Sequence, residues 1–307
     1  MAIVEAVEMA FQRSHDSDVL VPPRPHLEVD GKTILLMPAV MNSHFAVKIV
    51  SLVKDNPSRG LPLLHGVVLL CDGKTGRPIA LLEGGMLTSL RTGAVGAAGI
   101  RSLAPRNSSQ LGIVGAGVQG HQLARFALNV RPIRRVHIFD PDEMRATKLA
   151  THLGQLESAL HVNVHNRVED VITNSDVIIT ATTSTTPVLP DDPDIYRGKT
   201  IVAVGSYKPN VRELSGAVFR HAPYLFVDTM TAFTESGDVL GPIGEGLVVE
   251  ERVVELGEII KNPGQFHFGA RATRIFKSVG SALFDLAAAR VVVDKANANH
   301  IGTEVDI

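Results

Sequence analysis

Residues 111–120 read Leu-Gly-Ile-Val-Gly-Ala-Gly-Val-Gln-Gly, a short apolar run that passes directly into Gly115-x-Gly117-x-x-Gly120. A strand delivered into three glycines at this spacing points to a dinucleotide-binding βαβ unit, and each glycine has its own reason. Gly115 permits the tight turn from strand to helix, Gly117 lets the backbone approach a pyrophosphate, and Gly120 lets helix and strand pack closely. The helix that starts here, with Val118 and Gln119 in its first turn, offers free N–H groups and the positive end of its dipole to the anion.

A glycine fingerprint alone is weak evidence, and the flanking sequence carries it. Leu123, Phe126, Ala127 and Val130 recur at helical spacing over Val118–Val130, and Arg135-Val-His-Ile-Phe139 follows as a second strand ending at Asp140. Asp140 stands 25 residues beyond Gly115, close to where an acidic residue accepts hydrogen bonds from the adenosine ribose hydroxyls. Its carboxylate favours NADH and repels the phosphate of NADPH, and Pro141, not an arginine, comes next. Arg145, one helical turn on, keeps NADPH as the second candidate.

Outward from this unit, Pro141 to Leu156 reads as a helix, Leu160 to Val164 as a strand and Val168 to Thr173 as a short helix. Asp176–Thr182, Thr200–Gly205 and Tyr224–Asp228 are further short apolar runs with strand character. Such alternation predicts a parallel, doubly wound sheet over 107–277. Ligands bind such sheets at the strand carboxyl ends, which makes Thr180, Thr182, Gly205 and Ser206 candidates for the nicotinamide half. Lys277 and Ser278 are read either as contacts to the nicotinamide amide or, for Ser278, as a helix cap.

The first hundred residues have another character. Strand-like runs at Thr33–Met37, Ala46–Leu52, Gly66–Cys71 and Pro78–Glu83 are joined by turns such as Asp72-Gly-Lys-Thr-Gly76, which reads as antiparallel. Thr88–Leu103 then reads as a small-residue helix, and Ser278–Ala298 as a last helix that packs back onto this first part. The predicted class is α/β: a Rossmann doubly wound parallel sheet over 107–277, plus a discontinuous α+β domain made of 1–106 and 278–307.

Composition narrows the partners. A chain of 307 residues with a formal charge of −2 can bury two moderate cores and has no long basic block, which argues against nucleic acid and anionic membrane surfaces. The densest basic cluster, Arg131-Pro-Ile-Arg-Arg135, reads as a solvated turn. The single cysteine, Cys71, cannot form an internal disulfide and favours a reducing compartment. No apolar stretch approaches the roughly 18 residues of a membrane span, and the N-terminal segment reads as an amphipathic helix, so the expected location is the cytoplasm. His161 and His165 lack further ligands at metal spacing, and no metal is expected. His65 reads either as a substrate contact or as a loop cap. Asp228 reads as a strand-end residue of the cleft, and Asp238 as a turn stabiliser.

A wider set of motifs narrows the function. Leu35-Leu-Met-Pro38, Lys48, Thr88-Ser-Leu-Arg-Thr92-Gly-Ala, the glycine loop, Gly205-Ser-Tyr-Lys-Pro209 with Glu213-Leu, Glu235-Ser-Gly-Asp238 and Phe276-Lys-Ser-Val-Gly280 occur in one order over nearly the whole chain. In this succession the chain resembles the ornithine cyclodeaminase/mu-crystallin family. It departs at the start, where members usually carry a further segment before the first helix. The resemblance implies a substrate-binding and dimerisation domain beside the Rossmann domain, and a homodimer formed through the sheet of that domain.

It also implies that a substrate α-carboxylate is held by Arg24, Lys48 and Arg91, with Thr92 at the cofactor phosphates. Charge chemistry agrees, since a carboxylate suits the planar fork of an arginine and Lys48 adds a compact charge and a proton. Arg91 stands out because its helix start is otherwise small and apolar, where an unpaired charge is costly to bury. Cyclodeaminases of the family carry an aspartate where this chain has Tyr207, and a glutamate where it has Leu35. Without that acid and base, the resemblance points to the reductase branch, to which Leu61-Pro-Leu-Leu-His65-Gly is also similar. The expected reaction is NAD(P)H-dependent reduction of a cyclic imino acid, Δ1-pyrroline-2-carboxylate to L-proline, with the six-membered Δ1-piperideine-2-carboxylate as a second substrate. The alternatives are an alanine-type dehydrogenase, an ornithine cyclodeaminase, and a mu-crystallin-like protein that binds cofactor and a small ligand without turnover.

Overall fold

The computed structural model describes residues 1–305; the last two residues of the expected 278–307 segment lie outside the described residues. The chain divides into two compact units, one made of Met1–Arg91 with the segment from Ser281 onward, the other of Thr92–Gly280.

In chain order, α1 (Ala2–Arg13) is followed by β1 (Val19–Leu20), β2 (His26–Val29), β3 (Lys32–Met41), β4 (His44–Val53), β5 (Leu64–Asp72), β6 (Pro78–Glu83) and α2 (Gly84–Leu103). Then come β7 (Gln110–Val114), α3 (Val118–Val130), β8 (Arg135–Phe139), α4 (Glu143–Leu156), β9 (His161–Val164), α5 (Val168–Thr173), β10 (Val177–Thr180), β11 (Thr200–Ala203) and β12 (Leu225–Val227). The chain continues through α6 (Ala232–Glu235), α7 (Gly237–Gly244), β13 (Val253–Glu255), α8 (Leu256–Lys261), β14 (Arg274–Lys277) and α9 (Ala282–Ala298).

In the first unit β1, β3, β4, β5 and β6 form an antiparallel sheet in that order, with β2 also paired to β3. Alternation decides its faces. Leu35, Met37, Ala39 and Met41 of β3 and Ala46, Lys48 and Val50 of β4 are buried on the face that meets α9, with Met37 opposite Lys48. The apolar stripe of α1 (Val4, Val7, Ala10, Phe11) closes the layer, and the rings of Phe11 and Phe284 lie 4.5 Å apart. Helix α2 begins four residues before the expected Thr88. The Glu83 carboxylate explains this: it accepts from the N–H groups of Gly85 (2.7 Å) and Met86 (2.6 Å), capping a start that glycines alone would disfavour.

The second unit is a parallel sheet of eight strands in the order β13-β12-β14-β11-β10-β7-β8-β9. Strands β10, β11, β12 and β14 are buried along their whole length. Chain order reverses between β7 and β10, so the end of β7, where the glycine loop begins, lies at a topological switch point, the usual ligand crevice of such sheets. Asp142 caps α4, its side chain accepting from Met144 and Arg145 N–H groups. Strands β13 and β14 are additions to the expected elements, and β14 is central.

Candidate active site

The glycine loop is built for an anion. Gly115 adopts φ +101, and a Cβ there would sit 2.6 Å from the Ala181 carbonyl oxygen; at Gly120 it would sit 2.1 Å from the Gly115 carbonyl oxygen. At Gly117 a Cβ would meet nothing within 4 Å. Thus two glycines are demanded by the protein's own packing, whereas the third faces open space at the N-cap of α3, which has no side-chain cap. First-turn N–H groups without a cap are what a pyrophosphate requires. Val118 is exposed, and the buried Oε1 of Gln119 has no hydrogen-bond partner. The residues present fit a dinucleotide.

Asp140 directly follows β8, beside this loop. Its carboxylate accepts from Ala116 N–H (2.7 Å) and Asp142 N–H (2.9 Å), which ties the acidic group to the loop it serves. Arg145 is exposed and paired with Asp142 at 3.1 Å. On the other side of the switch point, Thr180, Thr182 and Gly205 converge on one carboxylate, that of the buried Glu213. Ser206, also buried, shares its hydroxyl with the Val211 carbonyl and Ser236 Oγ. Tyr207 is half-buried in the loop after β11, and Thr92 is buried on α2.

Lys277 and Ser278 have protein partners. Lys277 is wholly buried at the end of β14, with Nζ 3.1 Å from Asp238 Oδ2. Ser278 Oγ donates to Asp228 Oδ2 at 2.6 Å, an oxygen that also accepts from the N–H groups of Val279 and Gly280. Asp238, read from sequence as a turn stabiliser, does more: it also accepts from Glu213 and Leu214 N–H.

The first unit holds a second charged cluster. Lys48 on β4 is 2 % exposed, and its Nζ lies 2.7 Å from Asp285 Oδ2. Arg91 Nε lies 3.0 Å from Asp285 Oδ1. Burial pulls the Lys48 ammonium down to about 8; Asp285 opposes this, while the charges of Arg91 and Arg24 add to it. Lys48 and Arg91 are therefore brought together as two cations on one buried carboxylate, with Arg24 near enough for its charge to act on Lys48, an excess of positive charge that suits an added carboxylate. His65 stands apart: it is exposed on β5 opposite Ser51, three positions from Val68, the partner of Lys48, and hence on the other sheet face.

Asp285 has no counterpart among the sequence candidates. A signal was available, because it is a lone carboxylate in the apolar helix start Ala282-Leu-Phe-Asp-Leu-Ala-Ala-Ala289, the same anomaly that singled out Arg91 with the opposite sign. His165 meets another histidine and not a metal-ligand set: its Nε2 lies 2.9 Å from His137 Nδ1 in β8. Among the described residues no group of three histidine, cysteine or carboxylate side chains could hold a metal ion, and no helix is long and apolar enough to cross a membrane.

The family model of ornithine cyclodeaminase/mu-crystallin matches residues 1–300. The chain belongs to the ornithine cyclodeaminase/mu-crystallin family. Within this family it is 31% identical over 310 residues to a Δ1-pyrroline-2-carboxylate reductase of Bacillus cereus, covering 99% of this chain and 94% of that one. Its fold superposes with a TM-score of 0.92 on the Δ1-pyrroline-2-carboxylate reductase of Thermococcus litoralis, solved in complex with NADH and L-proline, at 33% identity over 99% of this chain and 95% of that one. An archaeal alanine dehydrogenase dimer with bound NAD gives 0.91 at 28% identity, covering 100% and 94%.

Proposed function

We propose that this member of the family is an NAD(P)H-dependent oxidoreductase acting on CH–NH groups, which reduces Δ1-pyrroline-2-carboxylate to L-proline and accepts Δ1-piperideine-2-carboxylate as well. The observation that carries this reading is the buried, cation-rich Lys48–Asp285–Arg91 cluster of the first unit, in a chain whose second unit carries a pyrophosphate-ready glycine loop. The names of the relatives support the substrate class. Tyr207 and Leu35 stand where cyclodeamination would need an acid and a base, which speaks against that branch.

Bound at the Gly115–Gly120 loop and Asp140, the nicotinamide cofactor supplies a hydride. The chain's own residues do the rest. Arg91 and Arg24 hold the substrate carboxylate and so orient its ring. Lys48, whose ammonium titrates at about 8, keeps a proton at the imine nitrogen, and a protonated imine is the better electrophile. Asp285 holds both cations in place and offsets only one of their two charges.

The test is a substrate panel on purified protein with NADH. Δ1-Pyrroline-2-carboxylate is expected to be reduced; turnover of pyruvate with ammonium alone would assign an alanine-type dehydrogenase, and tight NADH binding with no turnover on any cyclic imine a binding protein. Lys48 gives the pH dependence. The proton is present below about 8 and lost above it, so kcat/KM for reduction should fall as pH rises through about 8. Arginine stays charged far above this range, so in Lys48→Arg that limb should disappear even though the rate is lower. An unchanged limb would remove Lys48 from the proton step. NADH should be preferred over NADPH by about tenfold or more in kcat/KM, with Asp140→Ser narrowing the gap.

A homodimer formed by the first unit belongs to this proposal. The sheet face turned away from α9 leaves Ile49, Val67 and Leu81 exposed at 46%, 40% and 70%, an apolar surface that a second copy would cover. Leu81→Asp is expected to shift the sedimentation coefficient from dimer towards monomer; an unshifted dimer would place the interface elsewhere.

A further inference from the structure

We infer that Glu213 is a positioning residue of the reductase: its buried carboxylate clamps the ends of β10 and β11 into one rigid wall for the nicotinamide end of the cofactor. The inference rests on the reading above that the dinucleotide binds at these strand ends. Nothing in the proposed mechanism uses Glu213, yet it is fully buried at the carboxyl edge of the parallel sheet.

Its two oxygens accept four hydrogen bonds. Oε1 takes Thr182 N–H (2.7 Å) and Thr182 Oγ (2.9 Å), and Oε2 takes Gly205 N–H (2.7 Å) and Thr180 Oγ (3.0 Å). Three of these donors belong to β10 and its loop, and one to the loop after β11, so a single side chain continues the link between the two strands where their backbone pairing ends, at Thr180 and Ala203. The site has been cut to fit it. At Gly205 a Cβ would stand 2.3 Å from the Thr182 carbonyl oxygen and 2.5 Å from the Glu213 carboxyl carbon, so the glycine is demanded jointly by the neighbouring backbone and the carboxylate packed against it.

The carboxylate is itself held. Asp238 Oδ1 accepts from Glu213 N–H (2.8 Å) and Leu214 N–H (2.9 Å), and its Oδ2 is paired with Lys277, which supplies the counter-charge. Burial, and to a lesser extent Asp238, push the Glu213 carboxyl above the usual carboxylate range, and Lys277 and the Thr182 donors offset only part of that. The two backbone N–H groups can only donate, so they favour the charged form and fix the carboxyl group in one orientation, with the two threonine hydroxyls completing the set. A side chain that only filled space would need neither the four donors nor a buried ammonium brought in to serve it.

Glu213→Gln tests this in the full chain, because the amide keeps the shape but turns one acceptor into a donor facing donors. The adenosine half is held elsewhere, by the glycine loop and Asp140, so the dissociation constant for NADH, read by nicotinamide fluorescence, should change less than about threefold. With the wall loosened, kcat for the imine should fall about 10- to 100-fold while KM stays nearly constant, since small misplacements act on the chemical step. Glu213→Asp, which keeps the charge but shortens the reach, should also lose kcat. If the glutamine variant does not fold, Thr180→Val removes one of the four bonds and should give a smaller loss of the same kind. A merely structural role would lower the melting temperature and leave kcat per folded, cofactor-bound site unchanged; that result, in either folded variant, overturns the inference. If wild-type protein neither enhances NADH fluorescence nor reduces the imine, the functional reading fails first.

Discussion

Asp285→Ala is expected to lower kcat/KM for Δ1-pyrroline-2-carboxylate by about a hundred- to thousandfold and to destabilise the fold by about 3–5 kcal/mol. The reason is the company it keeps. Lys48 and Arg91 are 2 % and 7 % exposed, and Asp285 is the carboxylate paired with both, at 2.7 and 3.0 Å. Removing it leaves two buried cations facing each other, so Lys48 sheds its proton and Arg91 loses the bond that aims its guanidinium. Asp285→Asn separates charge from shape. It keeps the volume of the side chain but withdraws the charge that raises the Lys48 ammonium, so the fall of kcat/KM with rising pH should move to lower pH. A stopped pH profile on this variant decides the matter: a limb that stays at about 8 would mean that Asp285 does not govern Lys48.

Gly120→Ala and Gly117→Ala should fail in different ways. At Gly120 the added Cβ would lie 2.1 Å from the backbone oxygen of Gly115, and no side chain can move aside. The helix must back away from β7, so the variant should lose melting temperature by several degrees and NADH binding by about a hundredfold or more, since overpacking costs of order 1–3 kcal/mol even where neighbours can adjust. At Gly117 the same methyl group meets nothing within 4 Å. The fold and melting temperature should be kept, while NADH binding weakens by at least about tenfold, because the methyl occupies the path by which backbone approaches the pyrophosphate. Thermal melts and NADH titrations on the pair measure both quantities. Equal NADH affinity in Gly117→Ala and wild type would show that the pyrophosphate lies elsewhere.

Much of this molecule was legible along the chain because its signals are local. The strand–glycine–helix–strand run from Leu111 to Asp140 is one continuous segment, and periodicity, turn chemistry and the acidic residue all fall within it. The same holds for the antiparallel strands of the first unit, where alternation repeats over several residues, although the start of α2 at Gly84 escaped because it depends on one capping carboxylate, Glu83. Strand β14 escaped for a different reason. Arg274-Ile-Phe-Lys277 has two apolar residues between two cations, too short for any period, and it becomes a central buried strand only because β11 and β12 flank it.

The amino-acid sequence by itself determined the class of fold, the glycine loop between strand and helix and the cationic character of Arg24, Lys48 and Arg91, since each is written in residue type and near-neighbour spacing. Only the tertiary structure decided what those charges face. Asp285 is 194 residues from Arg91, Glu213 reaches back 33 residues to Thr180, and Asp238 meets Lys277 across another stretch of chain. Burial makes each such pairing obligatory, because a lone charge in a low-dielectric interior is too costly to keep. The choice of partner, however, is made by strand order and helix packing, which bring together residues that no local pattern connects.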